Sequence, residues 1–142
     1  MNCKEVMTDN PVCCLPNDTV SQAARIMRRE DIGPVPVIND DQSKQLIGII
    51  TDRDLALKVV AESRDPIHTK VADVMTSTIF VCRDEDDVSS AISAMEEYQI
   101  RRIPVLDDNG RIVGIISQAD VATRIREQNR TGEVVQEISQ AA

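Results

Sequence analysis

The most constraining feature of the chain is an internal repeat. Residues 46–54 read as an apolar strand with one glycine, then a hydroxyl residue and a closing aspartate, and residues 112–120 read the same way. Val6-Met7-Thr8 returns as Val74-Met75-Thr76, and the step from Met7 to Met75 is 68 positions. Such self-similarity predicts two copies of one supersecondary unit that bury their apolar faces together.

Each copy is predicted to be a β-α-β-β-α unit, because strand-like apolar runs and helical spacing alternate in the same order. The first helix is marked by Val20, Ala23, Ala24 and Met27, which share one helical face. The predicted strands are residues 12–15, 35–38, 46–50, 78–82, 103–106 and 111–116. The predicted second helices are residues 52–62 and 118–127. The fold class is therefore expected to be α+β, with the two units packed about a pseudo-twofold axis.

The predicted division of the chain places the first unit at residues 1–66, the second at 67–127 and a tail at 128–142. In the tail, Val134 and Ile138 form a weak apolar stripe that favours a short helix. A unit of about 60 residues is marginal for independent folding, so the two are expected to need each other.

Residues 55–61 predict contact with a second chain. Lys58 is the one polar residue in this helical segment, so apolar surface runs most of the way round it. A helix of that kind needs cover on more than one side. A homodimer contact is the preferred explanation, and cover from within the same chain is the alternative.

Composition excludes several classes of function. The formal charge of −8 opposes general binding to nucleic acid, which needs a face rich in Lys and Arg. Phe80 and Tyr98 are the two aromatic residues, so no base-stacking platform of the single-strand-binding type is expected. No apolar run reaches the roughly 20 residues of a membrane helix, and the first residues lack the pattern of a secretory leader. A cytoplasmic location without membrane attachment is expected.

Four cysteines and one histidine raise the possibility of a metal or redox site. The candidates are Cys3, Cys13, Cys14, Cys82 and His68. They show no Cys-x-x-Cys spacing, and adjacent strand residues such as Cys13 and Cys14 point to opposite faces. Reduced, buried thiols are therefore expected, while distant residues could still converge on a metal ion.

The chemistry is expected at the two strand-to-helix junctions. Thr51 and Asp54 are three residues apart at the first junction, and Ser117 and Asp120 repeat that spacing at the second. Unpaired N–H groups in a first helical turn can bind phosphate, and an ionised carboxylate accepts hydrogen bonds from ribose hydroxyls. Together they suggest a nucleotide site. The alternative is an ordinary capping pair, which is common in helical proteins.

Positive charge differs between the two copies. Arg101 and Arg102 precede a buried strand and could hold phosphate in a two-pronged contact, whereas Gly33-Pro34 occupies those positions in the first copy. One pocket is thus expected to be better supplied with positive charge. A solvated pair facing Glu96 or Glu97 is the alternative. An adenine ring is expected to lie against aliphatic side chains such as Val35, Val37, Ile103 or Val105 and to be read by backbone amides and carbonyls. The predicted ligand-binding set also includes Pro36 and Pro104.

The motifs of common enzyme classes are missing from the sequence. It has no Walker loop, no G-x-G-x-x-G, no G-x-S-x-G and no pair of histidines on one helix. A non-enzymatic protein that requires no cofactor is expected.

The repeated pattern of Val-Met-Thr, apolar-Pro-Val and Gly-Ile-Ile-Thr/Ser-x-x-Asp resembles a tandem cystathionine-β-synthase (CBS) domain pair, also called a Bateman module. The resemblance covers about residues 1–127 and implies a stand-alone pair that binds AMP, ADP or ATP between its repeats, with S-adenosylmethionine less favoured. Some similar stand-alone proteins carry metal through Cys and His.

Several residues match the family's functional positions. Asp54 and Asp120 match the ribose-binding aspartate, and Thr51 and Ser117 match the hydroxyl on the phosphate side. Arg102 matches a basic residue that contacts phosphate, while Gly33-Pro34 departs from that basic pattern, so weaker phosphate binding is expected at the first repeat.

The sequence therefore predicts a cytoplasmic, non-enzymatic sensor of adenine nucleotides that signals to a protein partner the sequence does not identify. Two alternatives stay open: a structural or interaction dimer with vestigial pockets, and a Cys/His metal-binding variant.

Overall fold

The computed structural model describes residues 1–128 and has an α+β fold built from two similar halves. The helices are α1 (Cys3–Val6), α2 (Val20–Glu30), α3 (Asp52–Leu55), α4 (Val71–Val74) and α5 (Val88–Tyr98), with a further helical stretch, α6, at residues 118–128. The strands are β1 (Thr8–Asp9), β2 (Pro34–Ile38), β3 (Leu46–Thr51), β4 (Cys82–Arg83), β5 (Arg102–Leu106) and β6 (Ile112–Ser117). The predicted tail helix falls at residues 128–142, of which 129–142 lie outside the described residues.

Local sequence signals explain the long helices. Thr19 caps α2 in a capping box with Gln22, and Asp87 caps α5 by accepting a hydrogen bond from the Ser89 amide. Asp87 thus acts as a helix cap, as carboxylates at a helix N-terminus do. In α2 the predicted residues Val20, Ala23 and Met27 are buried, whereas Ala24, predicted for the same face, is exposed.

The strands form two sheets. β2 and β3 pair as an antiparallel hairpin with Pro34 opposite Thr51, and β5 and β6 pair in the same way with Arg102 opposite Ser117. The second hairpin is widened into a four-stranded sheet in the order β1-β6-β5-β4. The register places the start of each first strand beside the hydroxyl residue that ends the second, so both junctions are built alike.

The two halves exchange their leading segments. Cys3 and Val6 of α1 pack in the core of the second half, while Val71 and Val74 of α4 pack in the core of the first. The backbone bonds correspond one to one: the Cys3 amide donates to the Asp86 carbonyl at 2.8 Å, and the Val71 amide donates to the Asp18 carbonyl at 2.8 Å. The domain boundaries at residues 1–66 and 67–127 stay a prediction. In the structure, the core of each repeat is completed by the short helix that precedes the other repeat.

Three predicted elements differ in the structure. The strand expected at residues 12–15 is reduced to one bridge, in which Cys14 pairs with Val37, and the strand expected at 78–82 is limited to Cys82–Arg83. Pro11 and Pro16 flank the first of these and have no N–H to extend a ladder. The helix predicted from residue 52 to 62 changes after Leu55 into a π-helix, Ala56–Val60.

The apolar segment after β3 is only partly covered. Val59 is buried, whereas Leu57 is 49% exposed and Val60 is 75% exposed. An apolar helical face of this kind is typical of an interaction surface. Within residues 1–128, no helix has the length and apolar character needed to cross a membrane.

Candidate ligand-binding clefts

The first cleft joins the two repeats and has a volume of about 600 Å³. Thr51, at the end of β3, lines it from the first repeat, and Arg101 and Arg102, at the start of β5, line it from the second. Within residues 1–128, no carboxylate forms an ion pair with either arginine. Their guanidinium groups are therefore available to an anion, which the alternative of a pairing with Glu96 or Glu97 would not have allowed.

Thr51 and Asp54 form a reciprocal capping box. The Asp54 amide donates to Thr51 Oγ1 at 3.1 Å, and the Thr51 amide donates to Asp54 Oδ2 at 3.0 Å. The other oxygen, Oδ1, lies 3.0 Å from the Lys58 ammonium and 3.5 Å from Thr76 Oγ1. Asp54 is 8% exposed and is not among the residues that line the first cleft, whereas its neighbour Asp52 is.

The second cleft has a volume of about 410 Å³ and contains the second junction. Ser117 and Asp120 form the same reciprocal capping box, with both bonds at 3.0 Å. Here both residues also line the cleft. Asp120 Oδ2 accepts a further bond from Thr8 Oγ1 at 3.3 Å, while Oδ1 has no partner within residues 1–128. Asp120 can therefore accept a hydrogen bond from a ligand.

The two arginines of the second repeat line the cleft that contains the hydroxyl residue of the first repeat. Although Arg102 pairs with Ser117 across the hairpin, both arginines line the cleft that contains Thr51, and Arg102 also lines the second cleft. The expectation of weaker phosphate binding at the first repeat stays a prediction, and the two arginines of the other repeat in the cleft of Thr51 are an observation against it.

Most of the apolar residues predicted to contact adenine are part of the core. Val35, Val37 and Ile103 are 0% exposed, and Pro36 is less than 2% exposed. All four lie on strands that are buried on both faces, so they offer no surface to a ligand, and this part of the prediction is corrected. Pro104 is the member of the set that lines the first cleft.

Sequence reasoning missed an aromatic wall of the first cleft. Phe80 lines the cleft and stacks on Tyr98, with ring centroids 3.7 Å apart and planes 12° from parallel. The two residues are 18 positions apart, Phe80 in the loop before β4 and Tyr98 at the end of α5, so no local pattern joins them. The sequence contains one indication of this contact, namely that Phe80 and Tyr98 are its single Phe and its single Tyr. Thr78 and Ile100 also line this cleft and were not predicted.

The cysteines are reduced and mostly buried. Burial raises the pKa of the Cys13 thiol to about 11 and that of Cys14 to about 12. Burial also raises the pKa values of Cys3 and Cys82, which lie together in the second core. Across the described part of the chain, no three His, Cys, Asp or Glu side chains are grouped in a way that could hold a metal ion.

Two similar α+β repeats with a cleft at each strand-to-helix junction define a tandem domain pair. The family model described as "CBS domain" matches residues 3–61 and again residues 71–127. The chain belongs to the CBS domain family and carries a tandem pair of these domains.

Relatives support this assignment over most of the chain. Hypoxic response protein 1 of Mycobacterium tuberculosis is 32% identical over 124 residues, which cover 87% of this chain and 85% of the relative. A crystal structure of that protein with two coordinated zinc ions superimposes with a TM-score of 0.78 at 31% identity, over 87% of this chain and 98% of the other.

A second solved structure is informative about ligands. The CBS domain pair of protein MJ0100, in complex with 5′-methylthioadenosine and S-adenosyl-L-methionine, superimposes with a TM-score of 0.73 at 26% identity. The match covers 90% of this chain and 98% of the other. Adenosine-containing ligands are thus bound by a structural neighbour of this chain.

Proposed function

We propose that this chain is a non-enzymatic, cytoplasmic regulatory module that binds AMP, ADP or ATP in the clefts between its CBS repeats. One observation carries the proposal: Thr51 of the first repeat and Arg101 and Arg102 of the second line the same cleft. A guanidinium binds phosphate through two parallel hydrogen bonds, and a hydroxyl can donate one more. The cleft volume of about 600 Å³ lies in the usual range of small-molecule sites, about 300–1,000 Å³.

The adenosine ligands of the MJ0100 domain pair support the adenine part of this proposal. The unpaired arginines favour a ligand with phosphate over S-adenosylmethionine, because its sulfonium group carries a positive charge. Phe80 offers an aromatic surface beside the arginines, and a purine ring can pack against it.

The regulatory step follows from where the clefts lie. A ligand that contacts Thr51 and Arg101 together bridges the two repeats, so it binds best to one relative placement of them. A ligand shifts such an equilibrium only by its difference in affinity for the two arrangements. A partner protein, not identified by the sequence, would bind the favoured arrangement.

Titration calorimetry with protein shown to be free of nucleotide tests the proposal. AMP, ADP and ATP should bind, and Arg101→Ala should weaken the binding at least tenfold, since one charge-assisted contact to phosphate is worth roughly 1.5–3 kcal/mol. Arg28→Ala, which removes an exposed arginine of α2 outside both clefts, is the matched control and should bind normally. No heat with any of the three nucleotides would refute the proposal.

The apolar face at Leu57 and Val60 supports a homodimer. These side chains are 49% and 75% exposed, which is unusual for neighbouring aliphatic residues on one helical segment. In sedimentation equilibrium the wild-type chain should be a dimer, and Val60→Glu should be a monomer with unchanged helix content. This same face favours the second candidate function, an interaction dimer whose clefts bind nothing, and unchanged melting temperatures across the nucleotide panel would support that alternative.

A further inference from the structure

The two clefts carry opposite charge, although the sequence motifs behind them are the same. Two arginines and one carboxylate, Asp52, line the first cleft. One arginine, the shared Arg102, and three carboxylates line the second: Asp9, Glu30 and Asp120. Glu30 has an exposed ion pair with Arg29 at 3.2 Å, and a solvent-exposed pair of this kind is weak. The second cleft therefore stays acidic.

The two clefts also differ in what they offer to a sugar. Asp120 has one oxygen, Oδ1, without a partner within residues 1–128, and it lines its cleft. Asp54 has both oxygens engaged, by the Thr51 amide and by Lys58 and Thr76, and does not line the first cleft. The acceptor for ribose hydroxyls is thus in the second cleft, and the cations for phosphate are in the first.

From this division we propose that the first cleft takes the phosphate-bearing nucleotide and the second takes an adenine nucleoside that carries no phosphate. The proposal rests on the function proposed above and assigns a ligand class to each site. A phosphate in the second cleft would face three carboxylates, and like charges repel. A neutral nucleoside escapes that repulsion and can still donate its ribose hydroxyls to Asp120.

Calorimetry on the full-length protein tests the assignment with two probes, AMP and adenosine. Each should bind with a stoichiometry of about one per chain, and the two should bind together rather than compete. Arg101→Ala should weaken AMP at least tenfold and leave adenosine unchanged. Asp120→Asn, which keeps the size of the side chain, should weaken adenosine at least tenfold and leave AMP unchanged.

Removal of the acidic charge gives a sharper test, because it should create binding rather than destroy it. The double variant Asp9→Asn/Glu30→Gln should bind a second equivalent of AMP, since Arg102 and Ser117 would then face the phosphate without the two carboxylates. The double variant Glu62→Gln/Asp108→Asn makes the same change of net charge at exposed sites outside both clefts. It should keep one AMP per chain.

Three outcomes would overturn the assignment and leave the proposed function standing: two equal AMP sites in the wild type, competition between AMP and adenosine, or loss of adenosine binding in Arg101→Ala. If neither probe nor ATP binds the wild-type protein, the proposed function itself fails, and the assignment fails with it.

Discussion

The Lys58 ammonium lies 3.0 Å from Asp54 Oδ1, and the Asp54 side chain is only 10% exposed. Lys58 also donates to the Val74 carbonyl at 3.0 Å, so it ties the first junction to α4. In the second repeat Arg124 stands four residues after Asp120, as Lys58 does after Asp54, but it pairs with Glu127 at 3.5 Å. Within residues 1–128, the carboxylate of this motif is therefore held in an ion pair in the first repeat and is not ion-paired in the second.

The Lys58–Asp54 pair should matter for stability. Lys58→Met leaves a buried carboxylate without its cation, which costs about 3–5 kcal/mol in fully buried pairs. The Lys58 side chain is 46% exposed, so screening by solvent should reduce the loss to roughly 1–2 kcal/mol. Urea unfolding, followed by circular dichroism, measures this loss in the free energy of unfolding.

Arg124→Met is the control at the matched position of the second repeat. Its ion pair is exposed on both sides, at 50% and 61%, so its removal should change the free energy of unfolding by less than about 0.5 kcal/mol. Equal losses for the two variants would contradict the view that only the first junction is locked.

Elements set by local pattern were predicted well. β2, β3, β5 and β6 lie within one residue of the predicted bounds. The reason is that apolar periodicity and capping act over a few residues and are written in consecutive positions. The two short leading strands were overestimated because their pairing depends on a distant partner strand.

The composition of the clefts could not be predicted, because each cleft is made by residues far apart in the chain. Thr51 and Arg101 line one cleft only through the packing of the two repeats, and Phe80 stacks on Tyr98 through packing within the second repeat. The residues chosen as adenine contacts failed for a related reason. Alternation along a strand suggests one open face, but packing covers both faces of β2.

The glycines of β3 and β6 are required by close approach rather than by backbone angle. An added Cβ at Gly114 would lie 2.9 Å from the Thr8 carbonyl oxygen, and at Gly48 it would lie 3.2 Å from the Thr76 carbonyl oxygen. Each would also meet a methionine, Met7 or Met75, whose flexible end can move. Gly114→Ala should therefore cost roughly 1–3 kcal/mol in urea unfolding, and Gly48→Ala should cost less. A larger loss at Gly48 would contradict this reason.

Alkaline pH should destabilise the protein through its thiols. Burial raises the pKa of Cys13 to about 11 and that of Cys14 to about 12, from an ordinary value of 9.0. The unfolded chain loses these thiol protons at lower pH than the folded protein does. The contribution of the two protonated thiols to folding stability is therefore complete below pH 9.0 and is lost as the pH rises towards about 11–12. Urea midpoints measured from pH 8 to pH 11 should fall, and fall less steeply in Cys14→Ala, whose midpoint at pH 8 serves as its own reference. An equal slope in both proteins would contradict the role of Cys14.

Tyr98 should report on occupation of the first cleft. It is the single tyrosine of a chain without tryptophan, and it stacks on Phe80, which lines that cleft. A purine ring packed on Phe80 should therefore change tyrosine emission with the stoichiometry that calorimetry gives for AMP. Phe80→Leu should abolish the signal and weaken AMP by roughly 2- to 12-fold, the worth of an aromatic contact beyond its area. Adenosine, assigned to the second cleft, should bind without a signal, because neither aromatic ring lines that cleft. AMP binding with unchanged emission would show that the base lies away from the aromatic wall.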